Sequence, residues 1–270
     1  MQSPLTALAD MARQAGSILK DRFHKDNAVY FKGDIDIVTE ADRLSEEYLV
    51  STITSRFPKH DILTEERILE SKGSDYRWII DPLDGTTNYS HHFPVFCVSL
   101  ALEERGIVIA AAVYDPLRDE LFTAERGRGA SLNGRAIAVS RTADLSRALL
   151  ATGFPYDIRT NPNNNINYFN VLALKVQAIR RAGSAALDLA YIAAGRFDGF
   201  WELRLRPWDT AAGWLLVEEA GGKTSDLNGK TFFINAPGMV ASNGVLHNDI
   251  LKIIDDINPL DDRLLTNQKG

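Results

Sequence analysis

The sequence predicts an α+β or layered α/β fold in which helices pack on mostly antiparallel strands. Three observations support this prediction: an amphipathic helix at the start, a series of short apolar strands with turn signals in the middle, and alternating strands and helices in the second half. The chain has 270 residues, of which 45% are hydrophobic and 24% charged, so it can bury a substantial core. We place a soft boundary inside one compact unit, between an α+β part (1–145) and an α/β part (146–270).

The N-terminal region predicts two amphipathic helices. Ser3-Pro4 is typical of a helix N-cap followed by proline in the first turn, and apolar residues then recur at spacings of three and four. Residues 31–42 contain glycine and several acids, which predict a mobile loop or a short hairpin. Thr39 and Asp42 match a capping box at the start of the second helix.

The middle of the chain changes to short apolar strands. Residues 61–66 predict a strand that runs into acids. Residues 78–81 predict a buried strand that stops at Asp81-Pro82, because proline has no N–H to continue a ladder. Further antiparallel strands are predicted at residues 95–102, 106–114 and 120–124, with turns at Asp115-Pro116 and Asn133-Gly134.

The second half alternates strands with helices. We predict strands at residues 149–152 and 200–203, and helices at residues 183–194 and 207–220. The Asn-rich segment 161–167 begins a helix that we expect to run to about Ala178, and residues 176–181 are either its end or a strand. After Leu246 we expect a short last helix and an exposed tail.

Composition narrows the function classes. The net charge of −6 argues against a nucleic-acid-binding surface, which normally carries a basic patch, but not against an anionic substrate held through metals. The single cysteine, Cys97, leaves no intramolecular disulfide and is interpreted as an inert buried thiol. Asp10 and Arg13 interrupt the apolar region that a signal peptide needs, and no apolar run approaches the roughly 20 residues of a membrane span. We therefore expect a cytoplasmic protein without membrane association.

One stretch combines features of a metal site and of a phosphate site. It is residues 78–89, with the sequence WIIDPLDGTTNY. Asp81 ends the predicted strand, Asp84 and Gly85 make a tight turn, and Thr86 begins a helix or helical turn. Carboxylates at such a position bind hard cations, and free backbone N–H groups at a helix start bind anions. The stretch therefore predicts that a metal and a phosphate share one loop.

Four acids are candidate metal ligands: Glu65, Asp81, Asp84 and Asp209. Each alone has an ordinary explanation, because acids are common in strand-end loops and favour helix N-termini. The turn is harder to explain in that way, since it needs Asp, Pro and Gly but not a second acid followed by two threonines. If the four acids converge, they repel one another unless cations neutralise them. Oxygen ligands without a His/Cys cluster suit magnesium, so the predicted reaction is metal-assisted hydrolysis of a phosphate ester.

Three separated motifs occur in a fixed order along the chain. They are LTEE at 63–66, the stretch at 78–88, and PWD at 207–209 followed by EAGG at 219–222, with further matches at 39–42 and 183–186. On these motifs the chain resembles the inositol monophosphatase family of magnesium-dependent, lithium-sensitive phosphatases, and especially its bacterial type, over about residues 5–255. One departure is Thr64, where the family usually has glycine before its two glutamates.

The resemblance implies a layered αβαβα sandwich, usually a homodimer, with two or three Mg²⁺ ions in each active site. Glu65 would bind the first and third ions, and Asp81 would bridge the first and second. Asp84 and Asp209 would complete the coordination of the second ion, and the backbone carbonyl of Leu83 would also bind the first ion. The 1–145 part would then carry most ligands, and the 146–270 part would carry Asp209 and substrate contacts.

The resemblance also implies roles for other residues. Thr86 and Asp42 would orient and deprotonate the attacking water, without a phosphoenzyme, and the backbone N–H groups of Gly85 and Thr86 would bind the phosphate. Residues 32–36 would form a mobile lid that brings in the third ion. The remainder of the substrate would contact a further set of residues, Asp84, Gly183, Ser184, Ala185, Glu202 and Asp209.

The expected substrate is an inositol monophosphate, hydrolysed to inositol and phosphate by metal-activated water. The same chemistry on fructose 1,6-bisphosphate, histidinol phosphate or adenosine 3′,5′-bisphosphate is an alternative. Glu202 favours the inositol type, because a carboxylate accepts hydrogen bonds from ring hydroxyls and is an awkward neighbour for a second phosphate unless Arg204 or Arg206 compensates. An interaction protein on a phosphatase scaffold is the alternative of another class, although the complete set of acids argues against pure loss of catalysis.

Overall fold

Five layers make up the fold: helices, a seven-stranded sheet, helices, a five-stranded sheet and helices. The computed structural model describes residues 3–25, 28–31, 37–67 and 69–266. A separate hydrophobic core fills each of the four spaces between layers. This is the αβαβα sandwich that the resemblance implied, and the predicted fold class is confirmed.

The helices and strands have the following bounds in the described residues. The helices are α1 (Pro4–Arg22), α2 (Glu40–Arg56), α3 (Thr86–Ser90), α4 (Ile166–Ala173), α5 (Ala185–Ala193), α6 (Pro207–Glu219) and α7 (His247–Thr266). The strands are β1 (Val29–Phe31), β2 (Ile37–Thr39), β3 (Asp61–Thr64), β4 (Tyr76–Asp84), β5 (Cys97–Glu104), β6 (Ile107–Asp115), β7 (Glu120–Glu125), β8 (Ala130–Leu132), β9 (Arg135–Ala136), β10 (Leu149–Thr152), β11 (Ala178–Arg180), β12 (Gly199–Leu203), β13 (Lys223–Ser225) and β14 (Gly238–Ser242).

The larger sheet has the order β3-β4-β5-β6-β7-β8-β9. All its neighbouring strands are antiparallel except the parallel pair β3 and β4. Successive side chains of a strand point to opposite faces, so Ile80 packs against α1 and α2 whereas Ile79 packs against α5 and α6. Burial on both faces explains why the central strands are apolar along nearly their whole length.

The smaller sheet has the order β11-β10-β12-β14-β13 and is mixed. Strand β10 runs parallel to β11 and β12, whereas β14 runs antiparallel to β12 and β13. Helices α5 and α6 pack on one face of this sheet, and α4 and α7 pack on the other. Helices α5 and α6 are therefore the middle layer, and their N-terminal ends lie close to the end of β4.

Several local predictions are confirmed. Ser3 caps α1 by accepting a hydrogen bond from the N–H of Thr6 at 3.2 Å, and Thr39 and Asp42 form the capping box of α2. Strands β1 and β2 make the short hairpin that was one of two predicted alternatives. The turn at Asn133-Gly134 joins β8 to β9, with φ values of 49° and 76° that suit these two residue types.

Two predicted element lengths are wrong. Helix α4 ends at Ala173 rather than near Ala178, because the following residues pair with β10 as strand β11, the other predicted alternative. The last helix is not short but 20 residues long, since isoleucines at helical spacing, such as Ile250 and Ile254, pack on the smaller sheet. Strands β13 and β14 were not predicted. No helix in the described residues combines the length and apolar character of a membrane span.

His247 is a buried histidine that joins two strands of the smaller sheet. Its Nδ1 lies 2.9 Å from Ser242 Oγ, and its Nε2 lies 2.9 Å from Ser225 Oγ. Burial, helped by the charge of Lys223, lowers the pKa of His247 to about 4. The unfolded chain takes up this proton near pH 6.5, whereas the folded protein resists it until about pH 4, so folding stability falls as the pH falls through this window.

We expect His247→Gln to reduce this acid sensitivity, because glutamine keeps a donor and an acceptor but does not titrate. The variant should lose less thermal stability than the wild type between pH 7 and pH 4.5. Circular dichroism melts at several pH values would measure the two Tm curves. Parallel curves over that range would show that His247 is not responsible.

Candidate active site

A cavity of about 850 Å³ opens where β4 ends and α5 and α6 begin. Small-molecule sites generally have volumes of roughly 300–1,000 Å³. With one exception, the residues that the sequence analysis assigned to the site line this cavity: Glu65, Asp81, Leu83, Asp84, Gly85, Thr86, Gly183, Ser184, Ala185, Glu202 and Asp209. The exception is Asp42, which is fully buried behind Thr86.

An irregular end of β4 places the first two aspartates. The predicted stop at Asp81-Pro82 is wrong in detail, because β4 continues to Asp84. Its ladder with β5 is irregular after Asp81 and resumes at the pair of Asp84 and Cys97, since Pro82 has no N–H to donate. Asp81 is 2% exposed, and its Oδ1 accepts a hydrogen bond from the N–H of Leu83 at 3.0 Å. The irregularity therefore holds the Asp81 carboxylate at the end of the strand.

Gly85 occupies a position that only glycine suits. Its φ is 96°, in the left-handed region. A Cβ there would lie 2.9 Å from the carbonyl oxygen of Val95 and 3.3 Å from that of Gly183. Helix α3 begins at the next residue, Thr86, and has five residues. Because Gly85 has no side chain, its backbone can approach the loop at Gly183 closely. The backbone of Gly85 and Thr86 borders the cavity at this point.

Thr86 connects the cavity to a buried carboxylate. Its Oγ1 lies 2.9 Å from Asp42 Oδ1 and 3.0 Å from the carbonyl oxygen of Leu83, so its single proton has two acceptors. The other carboxylate oxygen of Asp42 accepts hydrogen bonds from the N–H and the Oγ1 of Thr39, at 2.8 and 2.5 Å. The capping box thus orients Asp42, and Asp42 orients Thr86. The Thr86 oxygen keeps lone pairs that can accept a hydrogen bond from water.

Asp84, the last residue of β4, is hydrogen-bonded to the start of α5. Its Oδ2 accepts hydrogen bonds from Ser184 Oγ at 2.6 Å and from the N–H of Ala186 at 2.8 Å. Asn88 makes a second connection, because its Nδ2 lies 2.8 Å from the carbonyl oxygens of Val95 and Ala182. Residues of one short motif therefore fix the loop before α5 against the end of β4.

Comparison with known proteins identifies the family of the chain. The pattern of the Inositol monophosphatase family matches residues 1–258. The chain belongs to the inositol monophosphatase family. Members of this family are Mg²⁺-dependent, and membership identifies the protein as a metal-dependent phosphatase.

Three individual comparisons support the family membership. The chain is 46% identical over 246 residues to Nus factor SuhB of Escherichia coli K12, covering 90% of this chain and 92% of the relative. It is 41% identical over 253 residues to inositol-1-monophosphatase of Mesorhizobium japonicum, covering 93% and 95%. The solved inositol monophosphatase of Anabaena (Nostoc) sp. PCC 7120 matches with a TM-score of 0.87 at 42% identity, covering 96% of this chain and 97% of that one.

The electrostatics of the cavity fit the magnesium dependence of the inositol monophosphatase family. Burial raises the pKa of Asp81, and the charges of Glu65, Asp84 and Asp209 raise it further. Burial also raises the pKa of Asp209, with Asp84 and Glu65 adding to the effect. For Asp84, hydrogen bonds from Ser184 and Ala186 partly oppose the increase due to burial. A cation among these carboxylates would remove the repulsion, and their oxygens are the donors that Mg²⁺ prefers.

Two of the cavity carboxylates accept local hydrogen bonds. Among the residues that the structure describes, no group of three His, Cys, Asp or Glu side chains has the arrangement of a metal site. Asp84 Oδ2 faces Ser184 and Ala186, and Asp209 Oδ2 accepts a hydrogen bond from the N–H of Arg206 at 2.7 Å. These hydrogen bonds fix one oxygen of each of the two carboxylates.

Glu202 forms the far wall of the cavity. It lies in β12 and is 8% exposed, and burial raises its pKa to about 8, with Arg181 lowering it and Asp84 raising it. A Cβ on Gly153 would overlap the Glu202 carboxylate. Gly153 follows β10, whose last residue pairs with Trp201 of the neighbouring strand. The missing side chain of Gly153 therefore provides the space that Glu202 occupies.

Three residues that form or support this wall were not predicted from the sequence. The first is Gly153, and the second is Asn165, which is 2% exposed. Asn165 Nδ2 donates a hydrogen bond to the Gly153 carbonyl at 2.6 Å, and its Oδ1 accepts one from Trp201 Nε1 at 2.6 Å. Asp188 of α5 is 1% exposed, and its Oδ1 has no hydrogen-bond partner in the described part of the chain. Burial raises the pKa of Asp188, and the charge of Glu202 raises it further. The spacing of Asp188 one helical turn after Ser184 could have indicated its position.

Two further expectations concern the rim of the cavity. The predicted lid, residues 32–36, lies outside the described residues. Arg204 lines the cavity, but its guanidinium pairs with Asp157 at 3.0 Å and donates to the carbonyl of Asn163 at 2.5 Å. Arg204 therefore holds the loop at the rim, which leaves its charge less available to a substrate.

Asp81→Asn should nearly abolish turnover while leaving the fold intact. At neutral pH the ionised Asp81 destabilises the metal-free fold, because burial and repulsion raise its pKa, and asparagine removes that charge at nearly constant shape. Thermal melts without Mg²⁺ should give a Tm equal to or above that of the wild type.

Asp198→Asn is the matched control for this prediction. Asp198 is also a buried aspartate, but it lies outside the cavity and accepts hydrogen bonds from Ser140 Oγ and from the N–H of Leu149. Loss of those charged acceptors should destabilise the fold by about 1–3 kcal/mol. An equal loss of stability in both variants, or normal Mg²⁺-dependent activity in Asp81→Asn, would contradict the assignment.

Proposed function

We propose that the protein is a Mg²⁺-dependent phosphomonoesterase that hydrolyses inositol monophosphate to inositol and phosphate. The observation that carries the proposal is the pair of Thr86 and Asp42: a hydroxyl at the cavity wall lies 2.9 Å from a fully buried carboxylate, next to several acids. A relative named inositol-1-monophosphatase, 41% identical, supports the choice of substrate.

Five residues would hold the metal ions: Glu65, Asp81, Leu83 through its backbone carbonyl, Asp84 and Asp209. Two or three ions per site follow from the family resemblance. When bound, Mg²⁺ supplies positive charge that offsets the charge of the phosphate and lowers the pKa of bound water.

Thr86 and Asp42 would aim the attacking water and accept its proton. Thr86 Oγ1 can donate to Asp42 and at the same time accept a hydrogen bond from water. As the water loses a proton to Thr86 Oγ1, the proton of the Thr86 hydroxyl passes to Asp42. Because Asp42 does not line the cavity, it reaches the water only through Thr86.

The two sides of the cavity would bind the two parts of the substrate. The backbone N–H groups of Gly85 and Thr86 would donate to the phosphate, and Glu202 with the loop 183–185 would contact the alcohol. Glu202 and Asp188 give this wall carboxyl groups, which suit the hydroxyls of a polyol and disfavour a second phosphate. Bisphosphates are therefore weaker candidates, whereas the amine of histidinol phosphate would also suit this wall.

A binding role in addition to catalysis is the second candidate. It is favoured by the name of the relative that is 46% identical, Nus factor SuhB, which is not the name of an enzyme. The net charge of −6 argues against nucleic acid as the direct partner. A cellular function that persists in Asp81→Asn would belong to such a role. We further propose a homodimer, from the family resemblance, and a cytoplasmic location, from the sequence features described above.

A panel of phosphate esters tests the proposed activity. We expect inositol 1-phosphate to give a higher kcat/KM than fructose 1,6-bisphosphate, histidinol phosphate and adenosine 3′,5′-bisphosphate, measured as phosphate release. Chelation by EDTA should stop turnover, added Mg²⁺ should restore it, and millimolar lithium should inhibit it. A higher kcat/KM for any competitor would reassign the substrate, and full activity in EDTA would overturn the metal dependence.

Gly153→Ala should impair recognition of the alcohol more than the chemical step. The new Cβ would displace the Glu202 carboxylate, so KM for inositol 1-phosphate should rise and kcat/KM should fall by about tenfold or more. Phenyl phosphate, which has no ring hydroxyls, is the control substrate and should be affected much less. In the double variant Gly153→Ala/Glu202→Asp, the shorter acid leaves room for the new Cβ. This variant should therefore recover part of the lost kcat/KM. Equal losses for both substrates would show that Gly153 does not act through Glu202.

A further inference from the structure

Helix α2 turns a polar face toward the active site. Asp42, Ser45 and Glu46 are spaced by three and four residues, so they share one face, and none is more than 1% exposed. Each bonds to a different segment of the site: Asp42 to Thr86, Ser45 Oγ to the carbonyl of Pro82 at 2.8 Å, and Glu46 to Thr64. Buried polar groups are unfavourable unless they have partners, so these contacts account for a polar stripe inside the protein.

Glu46 binds residues on both sides of Glu65. Its Oε1 accepts a hydrogen bond from Thr64 Oγ1 at 2.8 Å, and its Oε2 lies 2.7 Å from Arg67 Nε. The second contact is a close ion pair without hydrogen-bond alignment, since Oε2 has no hydrogen-bond donor in the described residues. One buried carboxylate therefore restrains the chain immediately before and shortly after Glu65.

Thr64 also fixes this segment relative to the larger sheet. It is the last residue of β3 and pairs with Ile80 of β4, the residue before Asp81. Its backbone thus sets Glu65 beside Asp81, and its hydroxyl anchors the same point to α2.

We propose that Glu46 is a positioning residue for Mg²⁺ binding, acting through Thr64 and Arg67 to hold Glu65 beside Asp81. The proposal rests on the proposed function, in which Glu65 is a metal ligand. Without this restraint Glu65 would sample more conformations, and ordering it would weaken metal binding. The chemistry at saturating Mg²⁺ would not change.

Thr64→Val and Thr64→Ser form the matched pair that tests this proposal. Valine keeps the branched shape of the strand residue and loses the hydroxyl, whereas serine keeps the hydroxyl. Titration of the metal-free proteins with Mg²⁺ by calorimetry should show that Thr64→Val raises Kd about threefold to tenfold, and that Thr64→Ser stays close to the wild type. In activity assays the half-saturating Mg²⁺ concentration should rise in Thr64→Val, with kcat at saturation unchanged.

Arg67→Met supplies a second measurement that does not depend on the strand. The Arg67 side chain is 45% exposed, so its replacement should leave the fold intact, and it should also raise the Kd for Mg²⁺. Unchanged Mg²⁺ affinity in both Thr64→Val and Arg67→Met would overturn the proposal, as would equal weakening in Thr64→Ser and Thr64→Val. A wild type that binds Mg²⁺ but hydrolyses no phosphate ester overturns only the proposed function, whereas a wild type that binds no Mg²⁺ overturns both.

Discussion

Repulsion between buried carboxylates is the constraint on which the centre of this protein depends. Asp81 and Asp84 come from the end of a strand and Asp209 comes from a helix, and burial raises the pKa of each of them. Without a cation their charges oppose folding, and with a cation the same charges provide affinity for it. The four apolar cores between the layers must therefore supply the stability that the site itself lacks.

The layered fold makes such a site possible because its parts belong to elements that are independently anchored. Strand β4 is held between two apolar cores, α5 and α6 lie between the two sheets, and α2 lies on the outer face of the larger sheet. The acid or hydroxyl that each element contributes to the site lies at or near one end of that element. A change in one carboxylate therefore need not disturb the packing that places the others.

The sequence indicated the turn at 81–86 and the acids around it, because a second acid and two threonines exceed what a turn requires. The role of Asp42 came only from the family resemblance, since locally it is a helix-capping residue. Gly153 and Asn165 could not be predicted, because their importance arises from the register between β10 and β12. In the same way pairing with β10 overrides the local helical pattern after α4, so the end of that helix was misplaced.

Cys97 lies in β5 directly behind the turn, with its Sγ 3.9 Å from Asp84 Oδ2 and 3.7 Å from Ser184 Oγ. It is fully buried, and burial raises the pKa of the thiol, which suppresses the thiolate that alkylating and oxidising reagents attack. Because it is the one cysteine in the sequence, any thiol labelling of the native protein reports the opening of this part of the structure. Cys97 is therefore an intrinsic probe of local unfolding, and it lies next to Asp84, an acid whose charge a bound cation would neutralise.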